Sequence, residues 1–308
     1  MEYPKLSAEE LISRLAWREQ KIRMVLDTDT FNEVDDQFAV IYTLLSGEKL
    51  GLEALYAAPF SNKKCSGVKN GMEKSYQEIE KILGLCKAQD RIPAYRGSES
   101  YLPDGETPVE SEAARNLVER AMSASAEEPL YVAAIGAVTN VASAILMEPR
   151  IIERIVVVWL GGHALHWNSA SEFNLYQDLH ATRILLDSGV PLVLVPCMGV
   201  ASHLQTSQSE LRDYVLPCGE LGSYLYETYS ESSEDHFAYT RVIWDISVIA
   251  YLINEQWASS SLVHSPRLSD DFRWSTDTSR HFIRYVHRVN RNLIFRDLFT
   301  KLKEYSRQ

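Results

Sequence analysis

The sequence is poor in several features that would direct it to particular partners or compartments. Its four cysteines form no Cys-x-x-Cys pair, so a zinc site and a disulfide framework are both unexpected. It has no run of about 18 apolar residues and no apolar signal core near its start, so we expect neither membrane spanning nor secretion. Basic residues number 31 against 42 acidic ones, and the formal net charge of -11 disfavours nucleic acid and anionic membranes as partners. The expectation is a cytoplasmic protein whose partners are small molecules.

The sequence also lacks a linker rich in glycine, serine or proline, which favours a single domain over residues 1–308. With 45% hydrophobic and 24% charged residues, its composition is that of an ordinary globular protein. Apolar runs without polar alternation recur along the chain, as in buried parallel strands. These runs occupy residues 23–27, 52–58, 130–136, 154–162 and 190–197.

Helical patterns lie between these runs. Strand alternating with helix predicts an α/β fold with a mostly parallel central β-sheet flanked by helices. Ser7 followed by Glu10 is a capping-box pattern and predicts a short helix near the start. After Cys197 the pattern predicts added helices in the C-terminal part and a β-rich segment over residues 270–289. Because open α/β sheets bind ligands at the carboxyl ends of their strands, the functional site is expected at that edge.

Acidic residues are concentrated after the first apolar run, in MVLDTDTFNEVDD at residues 24–36. Asp27 and Asp29 are two positions apart, so their carboxylates point the same way if the strand runs through both. Asp35 and Asp36 begin the next predicted helix, where capping accounts for one carboxylate but not for four. Converging carboxylates need a cation, and an all-oxygen set suits calcium or magnesium better than zinc. The segment therefore predicts a metal site.

One class of enzyme matches only the beginning of this segment. MVLDTDT resembles the DxDxT motif of haloacid-dehalogenase-like phosphatases, in which the first aspartate, here Asp27, is the nucleophile. Such enzymes also need a lysine and a later acidic pair at strand ends. The corresponding ends here read AIGAVTN and WLGGH, and Asp270 with Asp271 follows no predicted strand. The phosphatase is therefore the weaker interpretation.

A larger set of motifs, in order along the chain, resembles the inosine-uridine nucleoside hydrolase family, whose members open with DxD at a strand end and DD at the next helix. AIGAVTNVASAI at 134–145 is similar to the family's TGPLTNIA segment, and IPAYRGS at 92–98 is similar to its PVYxG turn. VVVWLGGHALHWNSASEFNLYQD at 156–178 resembles its GG, EFN and D segment, and VIWDISVIAYLI resembles its late HD helix. The matching blocks extend from about residue 23 to residue 253.

The resemblance implies one Ca²⁺ ion at the carboxyl edge of the sheet and hydrolysis of the N-glycosidic bond of ribonucleosides. Asp29 and Asp36 match metal ligands, and Asp29 also matches the catalytic residue that takes a proton from the metal-bound water. Asp35 matches a residue that binds the ribose hydroxyls. The carbonyl of Ile135 and the carboxylate of Asp245 match the remaining protein ligands. Family members tend to be homo-oligomers, which implies a homodimer or a homotetramer.

Three further matches concern the sugar. Glu172 and Asn174 of the EFN motif match residues that hold the ribose, and an extended segment would let both face one ligand. Asn62 stands where the family has an asparagine at a strand end near the ribose. These residues are therefore expected to bind the substrate.

The loops before EFN and before the late aspartate offer other candidates. His166 aligns with a sugar-binding asparagine of the family, whereas a slip of one residue would select Trp167 or Asn168. Trp167, His163 and His166 lie in the loop where the base or the 5′ end of the ribose would be contacted. We disfavour His163 with His166 as a metal pair because no further ligands accompany them. His236 precedes the late Trp-Asp pair and is a candidate for the acid that protonates the leaving base.

Two departures from the family pattern affect the chemistry. The link TFNEV between DxD and DD is longer than the family's Pro-Gly link, and its Asn32 either binds the sugar or turns the chain. Trp244 replaces the histidine that many members use as the acid for the leaving base. Tryptophan occupies this place in purine-preferring members, where stacking is proposed to favour protonation of the purine. A core tryptophan on a buried helix face is the other interpretation.

The function expected from these features is calcium-dependent hydrolysis of ribonucleosides or ribosyl-like compounds, with purine nucleosides favoured. Because both departures affect catalysis, the main alternative is a non-catalytic protein of the same fold that binds metal and sugar. The phosphatase ranks third.

Overall fold

The sheet of the computed structural model, which describes residues 2–307, is assembled from the apolar runs of the sequence. Its central parallel strands are buried on both faces, and for this reason their sequences do not alternate. The strands are β1 (Ile22–Thr28), β2 (Leu50–Ala57), β3 (Ala94–Arg96), β4 (Leu130–Ala134), β5 (Ile155–Leu160), β6 (Leu192–Val195), β7 (Gln205–Thr206), β8 (Arg241–Val242), β9 (Ala258–His264), β10 (Arg267–Leu268), β11 (Trp274–Ser275) and β12 (Phe282–Val289).

Several helices begin after a polar residue whose side chain caps the first turn, such as Ser111, Asp178 and Asn290. The first one has the predicted capping box, in which Ser7 and Glu10 each bond the other's backbone N–H. The helices are α1 (Ala8–Arg14), α2 (Asp35–Leu44), α3 (Val68–Leu85), α4 (Glu112–Ser123), α5 (Thr139–Met147), α6 (Phe173–Gln177), α7 (Leu179–Asp187), α8 (Gln208–Tyr214), α9 (Gly219–Glu231), α10 (Ile246–Ile253) and α11 (Arg291–Tyr305).

The order of strands places a ligand crevice beside β1. The main sheet runs β3-β2-β1-β4-β5-β6-β12-β9, and its neighbours are parallel except for the antiparallel pair β12 and β9. From β1 the chain moves through β2 and β3 in one direction and then returns to β4 on the other side of β1. Asp27 pairs with Ala134 across this reversal. The residues after β1 and β4 therefore meet where open α/β sheets form binding sites.

Alternate residues of the central strands enter two apolar cores, one on each face of the sheet. Met24 and Leu26 pack in the core that α2, α3, α9, α10 and α11 cover, whereas Val25 packs in the core under α4, α5 and α7. Full burial of such a side chain contributes about 1.5–3 kcal/mol, so the two layers hold the strand ends firmly. Within residues 2–307, no helix combines the length and the apolar character needed to cross a membrane.

The predicted α/β architecture is confirmed, with all five predicted strands present and with added helices in the C-terminal part. The β-rich end is also present. Its strand β12, together with β9, extends the main sheet, which the sequence did not indicate. Their faces are partly exposed, which gives a weaker apolar pattern than that of the central strands. The late helix is shorter than its apolar pattern, since it begins at Ile246 after the Trp-Asp pair.

Candidate active site

A cavity of about 290 Å³ lies where the chain leaves β1 and β4. Its lining contains six acidic residues and, among the residues that the structure describes, no lysine or arginine. Nine of the residues expected in the site from the sequence line it: Asp29, Asn32, Asp35, Asp36, Ile135, Glu172, Asn174, Trp244 and Asp245.

One wall of the cavity, which we call the acidic wall, consists of Asp29, Asp35, Asp36 and Asp245. Carboxylate oxygens of Asp35, Asp36 and Asp245 lie within 4.8 Å of one another, and Asp29 is close enough to Asp36 for the two carboxyls to influence each other's pKa. The ligands expected from the sequence were Asp29, Asp36 and Asp245. The group of three whose oxygens lie closest contains Asp35 in place of Asp29. All four side chains are at most 4% exposed.

Local folding explains how these carboxylates come together. Strand β1 ends at Thr28, so Asp29 lies beyond it in the turn that leads to α2. Asp35 and Asp36 occupy the first turn of that helix, yet neither caps it, because the N-cap is Val34 without a side-chain bond. The positive end of the helix dipole therefore faces acidic groups that remain free for another partner.

Burial raises the pKa of every carboxyl in the acidic wall. The pKa of Asp36 is raised to about 7, and the pKa values of Asp29, Asp35 and Asp245 are raised further by the neighbouring negative charges. Thr28 Oγ1 donates to Asp36 Oδ1 at 2.6 Å. Two buried oxygens, Asp29 Oδ2 and Asp35 Oδ1, have no partner within residues 2–307. Clustered carboxylates with free oxygens fit a hard divalent cation.

The opposite wall is organised around Glu172. Its carboxylate accepts hydrogen bonds from the backbone N–H groups of Gly162, Asn174 and Leu175 at 2.9, 2.9 and 3.2 Å. Gly162 has φ +67°, a conformation that glycine adopts without strain, and this directs its N–H to the carboxylate. Burial raises the pKa of Glu172 to about 7. Glu172 is therefore the N-cap of α6, and the EFN segment is helical rather than extended as the sequence suggested.

Asn174 connects this wall to the end of β4. Its Nδ2 donates to the carbonyls of Ile135 and Leu160 at 3.3 and 3.0 Å. The Ile135 carbonyl, an expected metal ligand, thus already accepts one hydrogen bond and keeps a second lone pair. These contacts leave Asn174 Oδ1 available to a ligand in the cavity.

Trp244 lies in the cavity lining, immediately before α10. It is partly buried and packs against the apolar core. Asp245 is the N-cap residue of α10 and makes no side-chain capping bond. The tryptophan therefore lies at the entrance to the helix and not on its buried face.

Five expected residues lie outside the cavity lining. Asp27, still within β1, accepts a hydrogen bond of 2.7 Å from Asn140 Nδ2. Asn62 Nδ2 donates to Asn32 Oδ1 at 2.8 Å from a neighbouring groove. His236 Nε2 bonds the carbonyl of Ser230 at 2.9 Å. The remaining two are in the loop before EFN: His166 and Trp167.

The lining also contains His163, which the sequence offered as a candidate contact for the base or the ribose, and residues that were not expected, such as Cys197 and Met198. His163 lines the cavity in place of His166, and its Nδ1 accepts a hydrogen bond from the N–H of Met198 at 3.4 Å. Burial lowers the pKa of His163. Cys197 and Met198 follow β6, and the only sequence signal for them was their position after a buried strand. Outside the lining, the buried Asn140 donates a hydrogen bond to Asp27. The sequence could have indicated it, because it is a polar residue in the first turn of a buried helix.

The fold and the cavity define an α/β protein with an acidic crevice at the switch point of its sheet. Residues 24–284 match the family model of the inosine-uridine preferring nucleoside hydrolases. This match covers most of the chain, and the chain therefore belongs to that family. The family resemblance expected from the sequence is confirmed, and the phosphatase interpretation loses its basis.

Curated relatives match parts of the chain. The pyrimidine-specific ribonucleoside hydrolase RihA of Escherichia coli O1:K1 / APEC is 27% identical over 194 residues, which are 56% of this chain and 58% of RihA. An uncharacterized protein of Schizosaccharomyces pombe is 34% identical over 86 residues, or 27% of each chain. The chain thus spans less than two thirds of the length of these relatives.

Solved structures match nearly the whole chain. A purine-preferring ribonucleoside hydrolase from Gardnerella vaginalis has a TM-score of 0.76 at 17% identity, covering 92% of this chain and 99% of its own. A plant nucleoside hydrolase, PpNRh1, gives 0.75 at 17% identity with the same coverage. The inosine-uridine preferring nucleoside hydrolase of Bacillus anthracis gives 0.70 at 16% identity, again over 92% and 99%. These similarities show a shared fold.

Proposed function

We propose that the protein hydrolyses the N-glycosidic bond of ribonucleosides to ribose and free base, with purine nucleosides favoured. The observation that carries this proposal is the convergence of the four buried aspartates of the acidic wall in a chain of this family. Among the proteins it resembles, RihA is called pyrimidine-specific and the Gardnerella vaginalis protein purine-preferring. The preference for purines is supported instead by Trp244 in the cavity lining.

Calcium is the ion that we propose for the acidic wall. Asp29, Asp36 and Asp245 would hold it together with the carbonyl of Ile135, and the unpartnered oxygen of Asp29 favours this fit. Asp35 contributes a further carboxylate oxygen nearby. All these donors are oxygens, as calcium prefers. When bound, such an ion supplies a fixed positive charge that lowers the pKa of water beside it and orients the sugar.

Asp29 is the proposed catalytic base. Its Oδ2 is buried and unpartnered, so it can accept a proton from the water that attacks the anomeric carbon. Asp35 Oδ1 is free in the same way and would accept a hydrogen bond from a ribose hydroxyl. As the C–N bond lengthens, positive charge develops on the sugar ring, and the nearby carboxylates stabilise it. The water oxygen bonds to the anomeric carbon as its proton passes to Asp29, the C–N bond breaks, and the leaving base takes up a proton from solvent.

Asn174 is the proposed sugar contact on the opposite wall, and Glu172 positions it. Three backbone N–H groups hold the Glu172 carboxylate in place, which fixes the start of α6 and therefore the Asn174 side chain. Asn174 Oδ1 would accept a hydrogen bond from a ribose hydroxyl. Direct contacts of Glu172, Asn62 and His166 with the sugar stay predictions.

Trp244 is proposed to stack on the leaving purine. Its indole face supplies a flat apolar surface beside Asp245, where the anomeric carbon is expected. Stacking favours the protonated purine, which leaves more readily, and pyrimidines gain less from it. The roles suggested for Asn32, Trp167 and His236 stay predictions, as do a single domain over residues 1–308, a cytoplasmic location and a homodimer or homotetramer.

The proposal is tested with the purified protein, calcium and a panel of substrates. Inosine, guanosine, adenosine, uridine and p-nitrophenyl riboside are incubated separately, and release of reducing sugar is followed. We expect release from the purine nucleosides, a slower release from uridine, and loss of both when calcium is removed by a chelator. Asp29→Asn is the inactive variant, and Asp213→Asn, on an exposed face of the chain, is its matched control.

Three results would change the conclusion in different ways. Release from p-nitrophenyl riboside alone would mean that Asp29 works as the catalytic base but that activation of the leaving nucleobase is lost. No release from any substrate, together with ribose binding, would favour a non-catalytic metal- and sugar-binding protein. Full activity in the chelator would contradict the proposed calcium.

A further inference from the structure

A second cavity lies beside the acidic one, and its lining has the opposite charge. It is a groove of about 900 Å³ that shares Asn32 and Glu33 with the acidic cavity. In a chain of formal net charge -11, this groove gathers cations at one place. We call it the basic groove, and its cationic residues are Lys63, Lys64, Lys74, Lys81 and Arg241.

Carboxylates in the groove neutralise only part of this charge. Glu33 pairs with Arg241 at 2.7 Å, and Glu78 lies 3.5 Å from Lys81. Glu231 is the third acidic residue of the lining, so the groove has five cations and three anions. Three of its lysines form no ion pair within residues 2–307: Lys63, Lys64 and Lys74. The groove therefore has cationic groups left for an anionic ligand.

The wall between the two cavities is the link TFNEV, which departs from the family pattern. The ammonium groups of Lys64 and Lys74 lie 5.8 and 5.1 Å from the centre of the Phe31 ring. Lys64 Nζ also donates to the carbonyl of Asn32 at 2.7 Å, and Asn32 lines the acidic cavity. An ammonium has three donors, so Lys64 keeps others for a ligand. Residues of the link thus connect the lysines directly to the rim of the active site.

We propose that the basic groove binds a phosphate group carried by the substrate, and that the protein prefers phosphorylated ribonucleosides to free nucleosides. This inference rests on the proposed hydrolysis of ribonucleosides. The reaction itself is the same. The C–N bond at the anomeric carbon breaks, a C–O bond to water forms, the base leaves with a proton, and the phosphate ester stays on the sugar.

Electrostatics explains why such a substrate would need this groove. A phosphate monoester has a charge of about -1.5 to -2 at neutral pH, and the acidic wall repels it. The unpaired lysines of the basic groove lie next to the TFNEV link, at the rim of the acidic cavity. Their positive charge would offset the repulsion between the acidic wall and the phosphate. A neutral nucleoside needs no such compensation, so the unpaired lysines distinguish the two substrate classes.

The test compares substrates and charge-neutral variants of the whole protein. Base release is followed by chromatography for inosine, inosine 5′-monophosphate and inosine 3′-monophosphate in the presence of calcium. We expect a kcat/KM for one of the monophosphates about tenfold above that for inosine. Lys74→Gln should lower the ratio of kcat/KM for that monophosphate to kcat/KM for inosine about tenfold, whereas Lys69→Gln should leave this ratio unchanged. Lys69 lies on the same helix α3 but pairs with Glu99 outside the groove.

Binding measurements separate this inference from the proposed function. Ribose, ribose 5-phosphate and inorganic phosphate are titrated calorimetrically into the wild-type protein and into Lys74→Gln. We expect ribose 5-phosphate to bind more tightly than ribose and to lose this advantage in Lys74→Gln. If no substrate is cleaved but ribose 5-phosphate keeps the lysine-dependent advantage, hydrolysis fails and the phosphate site stands.

Two results would overturn the inference while leaving nucleoside hydrolysis intact. One is efficient cleavage of inosine with neither monophosphate cleaved faster. The other is a preference for a monophosphate that Lys74→Gln and Lys69→Gln reduce equally, because the phosphate would then bind elsewhere. Binding of inorganic phosphate alone, without tighter binding of ribose 5-phosphate than of ribose, would also contradict a phosphate carried by the substrate.

Discussion

The two walls of the active-site cavity hold carboxylates in opposite ways. On one side, Glu172 accepts three backbone N–H groups, so its negative charge is satisfied by the protein itself. On the acidic wall, Asp29 Oδ2 and Asp35 Oδ1 are buried but have no partner within residues 2–307. A buried carboxylate without a partner costs free energy, and the chain tolerates several together. The difference indicates that Glu172 serves the fold, whereas the acidic wall serves a ligand.

The largest effect is expected from Asp29→Asn. Turnover should fall about 10²–10⁴-fold because the proposed base is lost. At the same time the calcium-free variant should unfold at a higher temperature than wild type, since one member of a mutually repelling buried cluster becomes neutral. Kinetics and thermal unfolding in a chelator check the two halves. A variant that is inactive and also less stable without calcium would contradict the repulsion.

Glu172→Gln should show the opposite sign in stability. The amide nitrogen cannot accept the backbone N–H groups that now bond the carboxylate, so we expect a loss of about 1–3 kcal/mol in the free energy of unfolding. Urea unfolding with and without calcium measures it. Equal losses in both conditions would agree with a structural role. A loss confined to the calcium-bound protein would place Glu172 with the ligand instead.

The pH dependence of stability should separate the acidic wall from the rest of the molecule. Burial raises the pKa of Asp36 to about 7, above its ordinary value of 3.8, so the folded chain keeps a proton that the unfolded chain releases. The calcium-free protein should therefore lose stability as pH rises through this window. Urea unfolding at about pH 5 and about pH 7.5 measures the slope. Asp36→Asn should flatten it, and an unchanged slope in this variant would contradict the assignment.

Trp244→Ala should affect substrates unequally. Stacking contributes about 0.5–1.5 kcal/mol, so the ratio of kcat/KM for inosine to that for p-nitrophenyl riboside should fall up to about tenfold. Trp257→Ala, which packs against the same apolar core but is absent from the cavity lining, is the control and should leave the ratio unchanged. An equal reduction for both substrates would mean that Trp244 supports the fold and does not recognise the base.

The smallest effect concerns the ion pair that closes the rim. Glu33 and Arg241 are 2.7 Å apart and join the TFNEV link to the segment before Trp244, but the Glu33 side chain is 45% exposed. A double-mutant cycle with Glu33→Gln and Arg241→Gln should give a coupling of about 0.5–1 kcal/mol that weakens with salt. A coupling of zero would mean that the ion pair between Glu33 and Arg241 does not stabilise the rim.

Much of this arrangement could be predicted from the sequence, because the strands that build the site have unbroken apolar runs. Strand β1 and the start of α2 were expected, and with them Asp29 and Asp36 at the cavity. The edge strand β9 and its neighbour β12 are partly exposed and mix polar with apolar residues, so their place in the main sheet was not evident. Pairing between distant strands leaves no mark in a local pattern.

Finer geometry depended on where each element ends. Asp27 and Asp29 were expected to point the same way, but β1 stops at Thr28 and the two carboxylates have different surroundings. The EFN segment was expected to be extended, whereas Glu172 caps a helix there. The selection of His163 instead of His166 for the cavity lining depends on the turn after β5. Such choices depend on tertiary contacts, which spacing in the sequence does not encode.

The most direct test of the account is a crystal structure of the protein soaked with calcium. We expect one density peak at about 2.3–2.6 Å from carboxylate oxygens of Asp29, Asp36 and Asp245, with the Ile135 carbonyl completing the protein ligands. A map that shows no ion among these three aspartates at saturating calcium, or an ion bound elsewhere in the chain, would contradict the central claim.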